Sequence, residues 1–402
     1  MSTFGIVCEF NPFHLGHQYL LDEARRLGAE RIVCVMSGNT LQRGEFAVAD
    51  AYARAEAVVR CGADLVLELP FPWCSGSAEQ FSRGAITILK EMCDTVIFGS
   101  ECGEMALLER AAEAASSEIF REAYRAKLAD GAPAAEAYFA LLAEFGVSEL
   151  GSNDLLGVEY LRAARDLGAD LSFVTVRREG AGYLQETLSD EKYPSATAIR
   201  RLWSEARFEE ADAYLPEASA EVFRREREAN SWIDSEALDR VVISQFRLHE
   251  GADFSEVVGT EGGLANRICE AAKSSKTLEE LLEKIKAKRY TDARLRRQIL
   301  FCLAGVTAED LSSLPVYTTL LGASKGGRAL LSKMRKESDF AIVSNLSDAP
   351  KDAPQFGLSE RISTVLGLSM ASMSDGDWQY RKHPYFLPES EEILLHSSEN
   401  NS

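Results

Sequence analysis

The sequence predicts an α/β chain: a doubly wound, mostly parallel sheet over about residues 1–205, then a mainly helical second half over 206–402. Three observations point there. Short apolar runs alternate with helical patterns through the first two hundred residues, an order that implies right-handed crossovers between parallel strands. The strand signal fades beyond about residue 205. No apolar run approaches the roughly 20 residues that a membrane span needs, and 402 residues with 46% apolar and 27% charged suit two or three globular domains.

Taken in order, FGIVCEF (4–10) reads as the first strand, followed by a helix over about 16–27 that stops near Gly28. RIVCVM (31–36) is the second strand; the loop SGNTLQRGEF and a helix over about 49–61, closed by Gly62, follow it. ADLVLELP (63–70) is the third, then a helix over 78–92, then DTVIFGSE (94–101) with Gly99 at its carboxyl end. After Ala- and Glu-rich helices between 104 and 167, LSFVTVRR (171–178) reads as the fifth. Ligands of such sheets sit beyond the carboxyl ends of the strands, so residues 9–17 and 37–45, Gly99 and Arg177 are expected around one crevice. Helical patterns dominate 207–337; DFAIVSNL is a candidate strand in the less regular remainder, and the acidic end ESEEILLHSSENNS is expected to fray.

The eight cysteines are scattered, with no CxxC pair and no histidine at zinc-ligand spacing, so buried free thiols are expected rather than disulfides or a metal centre. The first residues lack the basic stretch, apolar core and cleavage site of a signal peptide, and a cytoplasmic location is expected. The formal charge is -19. Against that acidic background, residues 284–297 carry Lys284, Lys286, Lys288, Arg289, Arg294, Arg296 and Arg297 with Asp292 alone opposing them. A solvated helix face, paired with Glu279, Glu280 and Glu283 upstream, is the plain explanation.

Chemistry is concentrated in two places. NPFHLGH puts His14, Gly16 and His17 at the first strand-to-helix turn, where unpaired N–H groups and the helix dipole favour an anion. Two imidazoles there can donate to phosphate oxygens whose charge spreads as phosphorus is attacked, and Gly16 leaves room for a ligand against the backbone. In YPSATAIRRL (193–202), Ser195 is a good N-cap, the Ser195 and Thr197 hydroxyls can meet an anion, and Arg200 can reach back one turn.

HxGH near the start and S-x-T-x-I-R closing the first half resemble the nucleotidylyltransferase superfamily. GIVCEFNPFHLGHQYLL, VMSGNTLQRGEFA, DLVLELP, FGSE, GSNDLLGVEYL, SATAIR, KRYTDARLRR and YTTLLGASKGGRALL, spread over residues 5–331, resemble the bacterial tRNA(Met) cytidine acetate ligase family. The resemblance implies a Rossmann-like nucleotidylyltransferase domain with a helical tRNA-binding domain behind it. It implies an enzyme that uses ATP to activate acetate as acetyl-adenylate, releasing pyrophosphate, and acetylates N4 of the wobble cytidine of elongator tRNA(Met). It places ATP along Val7, Cys8, Glu9, Phe10, Asn11, Pro12, Phe13, His14, Leu15, Gly16, His17, Gln18, Tyr19 and Leu20, with Gly99, Asn153 and Arg177 completing the pocket and Arg178 at the surface. His14 and His17 are expected to stabilise the triphosphate and the charge at the α-phosphorus. Ser195, Thr197 and Arg200 are expected to hold the leaving phosphates, bridged by Mg²⁺ that no protein carboxylate cluster binds. The acetate pocket is expected beside residues 37–43. The basic run, with Lys325, Arg328, Lys333, Arg335 and Lys336, would follow an RNA backbone, and Tyr290 offers a stacking surface or is simply packed. Two other readings stay open: a small-molecule nucleotidylyltransferase, and a nucleotide- or RNA-binding protein without turnover.

Overall fold

The structure is a computed structural model that describes residues 2–130, 132–148, 150–178, 194–287 and 290–391. Lys288 and Arg289 of the basic run, Tyr193 and most of the acidic end (392–402) lie outside the described residues.

Five parallel strands, β1 (Thr3–Cys8), β2 (Arg31–Ser37), β3 (Leu65–Leu69), β4 (Thr95–Ser100) and β5 (Ser172–Arg177), occur where the apolar runs put them. Their order is β5-β4-β1-β2-β3. Both faces of this sheet are covered, which is why its inner strands read as continuous apolar runs. Alternate residues of β2 serve opposite faces: Val33 and Val35 join one core cluster, Ile32, Cys34 and Met36 the other. Helices α1 (Leu15–Arg26) and α2 (Ala51–Arg60) bury their apolar sides in the second cluster. Helices α3 (Ala78–Leu89), α4 (Met105–Ser116), α5 (Glu118–Ala129), α6 (Ala134–Glu144) and α7 (Ser152–Asp166) pack on the first. The chain returns from β3 to the far side of β1, so the topological switch lies between β1 and β4. Those two strands are paired only at Phe4↔Thr95 and Gly5↔Val96, and their carboxyl ends part to open a cleft.

The first half closes with α8 (Ala196–Ser204), and the second begins with α9 (Phe208–Asp212), α10 (Glu217–Glu228), α11 (Ser235–Leu248), α12 (Leu264–Ser274), α13 (Leu278–Ile285), α14 (Asp292–Ala304) and α15 (Ala308–Ser312). The expectation of helix through residue 337 fails at β6 (Tyr317–Ala323), a wholly buried strand running antiparallel to β3. Helix α16 (Lys325–Glu337) is followed by β7 (Ala341–Val343), formed from the DFAIVSNL segment, then α17 (Pro354–Leu368) and β8 (Tyr385–Phe386). Both short strands run parallel to β6. The second half therefore completes the sheet of the first. Among the described residues no helix is long and apolar enough to cross a membrane. The eight cysteines are unpaired and seven are buried; burial pushes the thiols of Cys61, Cys74 and Cys302 up to about 12, which leaves them inert.

Asp64 joins the two halves. Its carboxylate accepts hydrogen bonds from Arg25 Nη2 (2.6 Å), the Ile32 N–H (2.9 Å) and Ser324 Oγ (3.0 Å), while its carbonyl accepts the Ser324 N–H (2.8 Å). A Cβ at Gly327 would lie 1.8 Å from that carbonyl oxygen, so only glycine lets α16 begin there. We expect Gly327→Ala to destabilise the protein by about 3 kcal/mol, the upper range for overpacking, read as a lower urea midpoint; an unchanged midpoint would show that this junction does not bear on stability.

Candidate active site

A cavity of about 470 Å³ occupies the cleft beyond the carboxyl ends of β1 and β4. One wall is the segment leaving β1. Its course is set by Arg54 of α2, which is fully buried. The guanidinium donates to the carbonyls of Glu9 (Nη1, 2.6 Å), Ser37 (Nη2, 2.9 Å), Gly38 and Ala49 (Nε, 3.2 Å), tying the ends of β1 and β2 together. Phe10 then adopts φ +44°, a left-handed conformation costly for a bulky side chain, and swings the chain across the mouth. Asn11 is held by its Oδ1, which accepts the Val48 N–H (2.9 Å).

His14 caps α1. Its Nδ1 accepts the Gly16 N–H (3.0 Å), and the His14 N–H is taken by Nδ1 of His17 (3.3 Å). The rings stack with centroids 3.7 Å apart, and Phe10 lies 4.7 Å from His17. A ring nitrogen that accepts an N–H bears no proton, so each neutral imidazole carries its proton on Nε2. Burial, then the Arg178 charge, pulls His14 down to about 3; burial, then His14 itself, holds His17 well below the usual range. Two neutral N–H donors thus stand beside the N-terminus of α1. His14, His17 and Leu20 share one side of this helix start and line the cavity, as do Val7, Cys8, Glu9, Phe10 and Asn11. Pro12, Phe13, Leu15, Gly16, Gln18 and Tyr19, expected in the same stretch, do not line it: Phe13 is fully buried against Phe10, and Gln18 is turned away to Asp22 and the Cys61 carbonyl.

The opposite wall is held by two carboxylates that exchange partners. Asp154 of α7 accepts Ser100 Oγ and the N–H groups of Glu101 (2.9 Å) and Gly151 (2.8 Å). Glu101 in return accepts the N–H groups of Asn153 (3.1 Å) and Asp154 (2.9 Å) and Asn153 Nδ2 (2.6 Å). Gly99 and Asn153 line the cavity as expected. Arg177 does not, and Arg178 does. A Cβ at Gly99 would sit 3.2 Å from Arg178 Cγ, so the missing side chain makes room for that arginine, whereas Arg177 packs over Gly103. Arg177 was expected in the crevice because it stands at the carboxyl end of the fifth strand; β5 ends there, and it is the next residue that lines the cleft.

Helix α8 brings Ser195, Thr197 and Arg200 to the rim. Ser195 Oγ accepts the Ala198 N–H (3.1 Å). Arg200 donates to the Asn11 carbonyl (Nη1, 3.0 Å) and to Glu45 (Nη2, 3.3 Å), so it fastens α8 to the histidine loop as well as facing the cavity. Of residues 37–43, Leu41, Gln42 and Arg43 line the site, while Ser37 is fully buried away from it. Asp292, Ala293 and Arg296 at the start of α14 form a last side that the sequence reading missed, having treated the basic run as surface. Within that run Arg296 pairs with Glu279 (2.7 Å), Lys286 with Glu283 (2.7 Å), and Tyr290 is buried beneath Arg294. Among the described residues no group of three or more His, Cys, Asp or Glu could hold a metal ion.

The depressed His14 pKa has a signed consequence for stability. The unfolded chain takes up a proton at His14 below about 6.5 and the folded chain does not, so stability is complete above that pH and is lost as pH falls towards 3. At pH 5 the loss from His14 is about 2 kcal/mol, at roughly 1.4 kcal/mol per unit. We expect His14→Asn, which keeps an acceptor for Gly16, to lose about 2 kcal/mol less than the wild type between pH 7 and pH 5 in urea titrations. Equal losses would contradict a buried neutral imidazole.

The sequence model of the HIGH Nucleotidyl Transferase family matches residues 1–378. A tRNA(Met) cytidine acetate ligase of Syntrophotalea carbinolica is 35% identical over 362 residues, covering 86% of this chain and 85% of the relative. One of Thermotoga maritima is 34% identical over 415 residues, covering 94% and 99%. Crystal structures of Thermotoga maritima TmcAL, apo and bound with alpha-thio ATP, superpose with TM-scores of 0.88 and 0.86 at 34% and 32% identity. Each covers 96% of this chain and 100% of the other. With the match running through both walls of the cleft and on through α14 and β6, the chain belongs to the HIGH nucleotidyl transferase family and, within it, to the tRNA(Met) cytidine acetate ligases.

Proposed function

We propose that this protein is an ATP-dependent ligase that activates acetate as acetyl-adenylate, with release of pyrophosphate, and transfers the acetyl group to N4 of the wobble cytidine of elongator tRNA(Met). The observation that carries this reading is the stacked pair of neutral imidazoles, His14 and His17, opening into a nucleotide-sized cavity at the switch point of the sheet. A relative of the same fold was solved with alpha-thio ATP in place.

The triphosphate lies across the start of α1. His14 and His17 donate from Nε2 to α-phosphate oxygens, whose charge grows as an acetate oxygen attacks phosphorus and the bond to the β-phosphate breaks. Neutral donors suit this task because no buried imidazolium has to be maintained between turnovers. Arg178 supplies a fixed positive charge from the end of β5, and the hydroxyls of Ser195 and Thr197 at the start of α8 face the departing pyrophosphate. Arg200 is chiefly a brace, two of its nitrogens being engaged by Asn11 and Glu45. Mg²⁺ would be held by the phosphates and water and would neutralise charge on the leaving pyrophosphate. Catalysis of this step is then positioning, with no covalent enzyme intermediate.

In this reading residues 1–205 hold the nucleotide chemistry and the helices beyond 206 supply the RNA contacts. Arg294, Arg328 and Lys336 are exposed in the described structure. Lys286, Lys325 and Lys333 stand in surface pairs with Glu283, Glu389 and Glu337. Such pairs are each worth about 0–1 kcal/mol, so phosphates can displace the carboxylates at little cost.

The test is incubation with ATP, Mg²⁺, radiolabelled acetate and bacterial tRNA lacking N4-acetylcytidine. We expect label on a single tRNA species, reduced at least about a hundredfold in His17→Ala, the usual loss when one such donor is removed, with unchanged far-ultraviolet circular dichroism. Undiminished labelling by that variant would refute the phosphate-site assignment.

A further inference from the structure

We propose that Glu9 accepts the proton released when acetyl is transferred to the tRNA amine, and that Arg297 positions Glu9 through the backbone of Gln42. The proposal rests on the ligase reading above.

Among the described residues three carboxylates line the cavity: Glu9, Glu45 and Asp292. Glu45 is paired with Arg200 (3.3 Å), and the exposed Asp292 faces Lys286 (3.5 Å) in the first turn of α14. Glu9 has no ion pair among the described residues. An uncommitted carboxylate beside a polyanionic nucleotide is electrostatically unfavourable, so its presence calls for chemistry rather than nucleotide binding. It is also held still. Oε1 accepts the Gln42 N–H at 2.7 Å, and the Glu9 carbonyl is clasped by Arg54.

Transfer needs such a group. The N4 nitrogen attacks the acyl carbon, the new C–N bond forms, and the C–O bond to the adenylate breaks, with AMP leaving on the bonding electrons. The nitrogen must then lose one proton, which passes to the Glu9 carboxylate and later to water. Burial pushes the Glu9 carboxyl up from the usual carboxylate range and Glu45 adds to it, while the Gln42 N–H, Arg200 and Arg43 oppose the rise. Among the described residues, Arg54, Cys8 and Tyr160 are the other titratable or charged groups that interact with it.

The second part of the proposal comes from the other side of Gln42. Its carbonyl accepts Arg297 Nη1 (3.3 Å). Arg297 is half-buried, has no carboxylate partner among the described residues, and burial pulls its guanidinium down to about 10. The loop is laid directly on α14: Gly44 has φ +80°, and a Cβ there would lie 2.3 Å from the Arg297 nitrogen. Gln42 is thus fixed by α14 at its carbonyl and fixes Glu9 with its N–H.

The experiment compares acetate-dependent ATP–pyrophosphate exchange with acetyl transfer to tRNA. We expect the isosteric Glu9→Gln to lower transfer at least about a hundredfold more than exchange, the usual scale of general-base catalysis. We expect Arg297→Met to move the acid limb of the transfer pH profile to higher pH, because loosening Gln42 withdraws the bond that favours the ionised carboxylate, and Arg297→Lys to restore it. Equal losses of exchange and transfer in Glu9→Gln, in a wild type that does exchange, overturn the proton-acceptor role alone. An unmoved profile in Arg297→Met overturns the positioning role. A wild type without acetate-dependent exchange overturns the ligase reading, and this proposal with it.

Discussion

The site depends on one buried cation, the guanidinium of Arg54. Parallel strands that end at a ligand cleft leave carbonyls pointing into a region that cannot be filled by further sheet, and such groups are costly when buried without a partner. Arg54 collects three of them, from Glu9, Ser37 and Gly38, together with the Ala49 carbonyl before α2, and is itself fully buried with no direct carboxylate bond among the described residues. Hydrogen bonds to a charged group contribute about 1.5–3 kcal/mol each, enough together to offset the desolvation that pulls its pKa down to about 10. It also has a negative charge nearby in Asp50, which caps α2 through the Tyr52 and Ala53 N–H groups and pairs with Lys382 from the far end of the chain. The directions in which Glu9 and residues 37–45 leave the sheet follow from this clasp.

The wall beyond β4 solves the same problem with opposite charge. There the free groups are N–H donors at the turn after β4 and at the start of α7, and two carboxylates satisfy them reciprocally. Between a cation gathering carbonyls and two anions gathering N–H groups, the cleft between β1 and β4 is braced on both sides without a covalent link. The histidine pair can then be neutral and still rigid, since each Nδ1 is spent on a backbone N–H of the same turn.

How much of this was legible follows from the kind of signal involved. The five parallel strands and their helices were readable because burial on both faces writes apolar runs, and HxGH because two scarce histidines fall at one turn. Strand β6 was not readable as a strand: YTTLLGA is followed at once by a helix, and its pairing with β3 is a contact across some 250 residues that local pattern does not encode. Arg54 and Asp154 sit inside ordinary helical patterns, where a charged residue means solvent until the tertiary fold turns it inward. Arg177 and Arg178 show a different limit: an apolar run locates the carboxyl end of a strand only to within a residue, and here one residue decides which arginine enters the cleft. The basic run was legible in part: the upstream acidic residues predict its pairing, and Arg296 and Lys286 do pair with Glu279 and Glu283, but charge counting does not register that half-buried Arg297 bonds the loop beside the cavity.

That last point bears on how an acidic protein handles two polyanions. With a formal charge of -19, long-range attraction for ATP and RNA is weak, and binding must come from local arrangement. For the nucleotide, in the reading proposed above, the arrangement is a helix start with neutral donors and a cavity rimmed by Arg43, Arg178, Arg200 and Arg296. For the RNA, the arrangement proposed above is a set of cations on α14 and α16, several already paired and therefore exchangeable. Helix α14 would serve both: its first turn closes the cavity and its second holds Gln42. An acceptor bound along that helix would meet the activation site across a single loop, and a shift of α14 would be felt at Glu9 without any change in the sheet. The cleft is therefore complete only when the second half of the chain is in place, since Asp292, Ala293 and Arg296 form its last side.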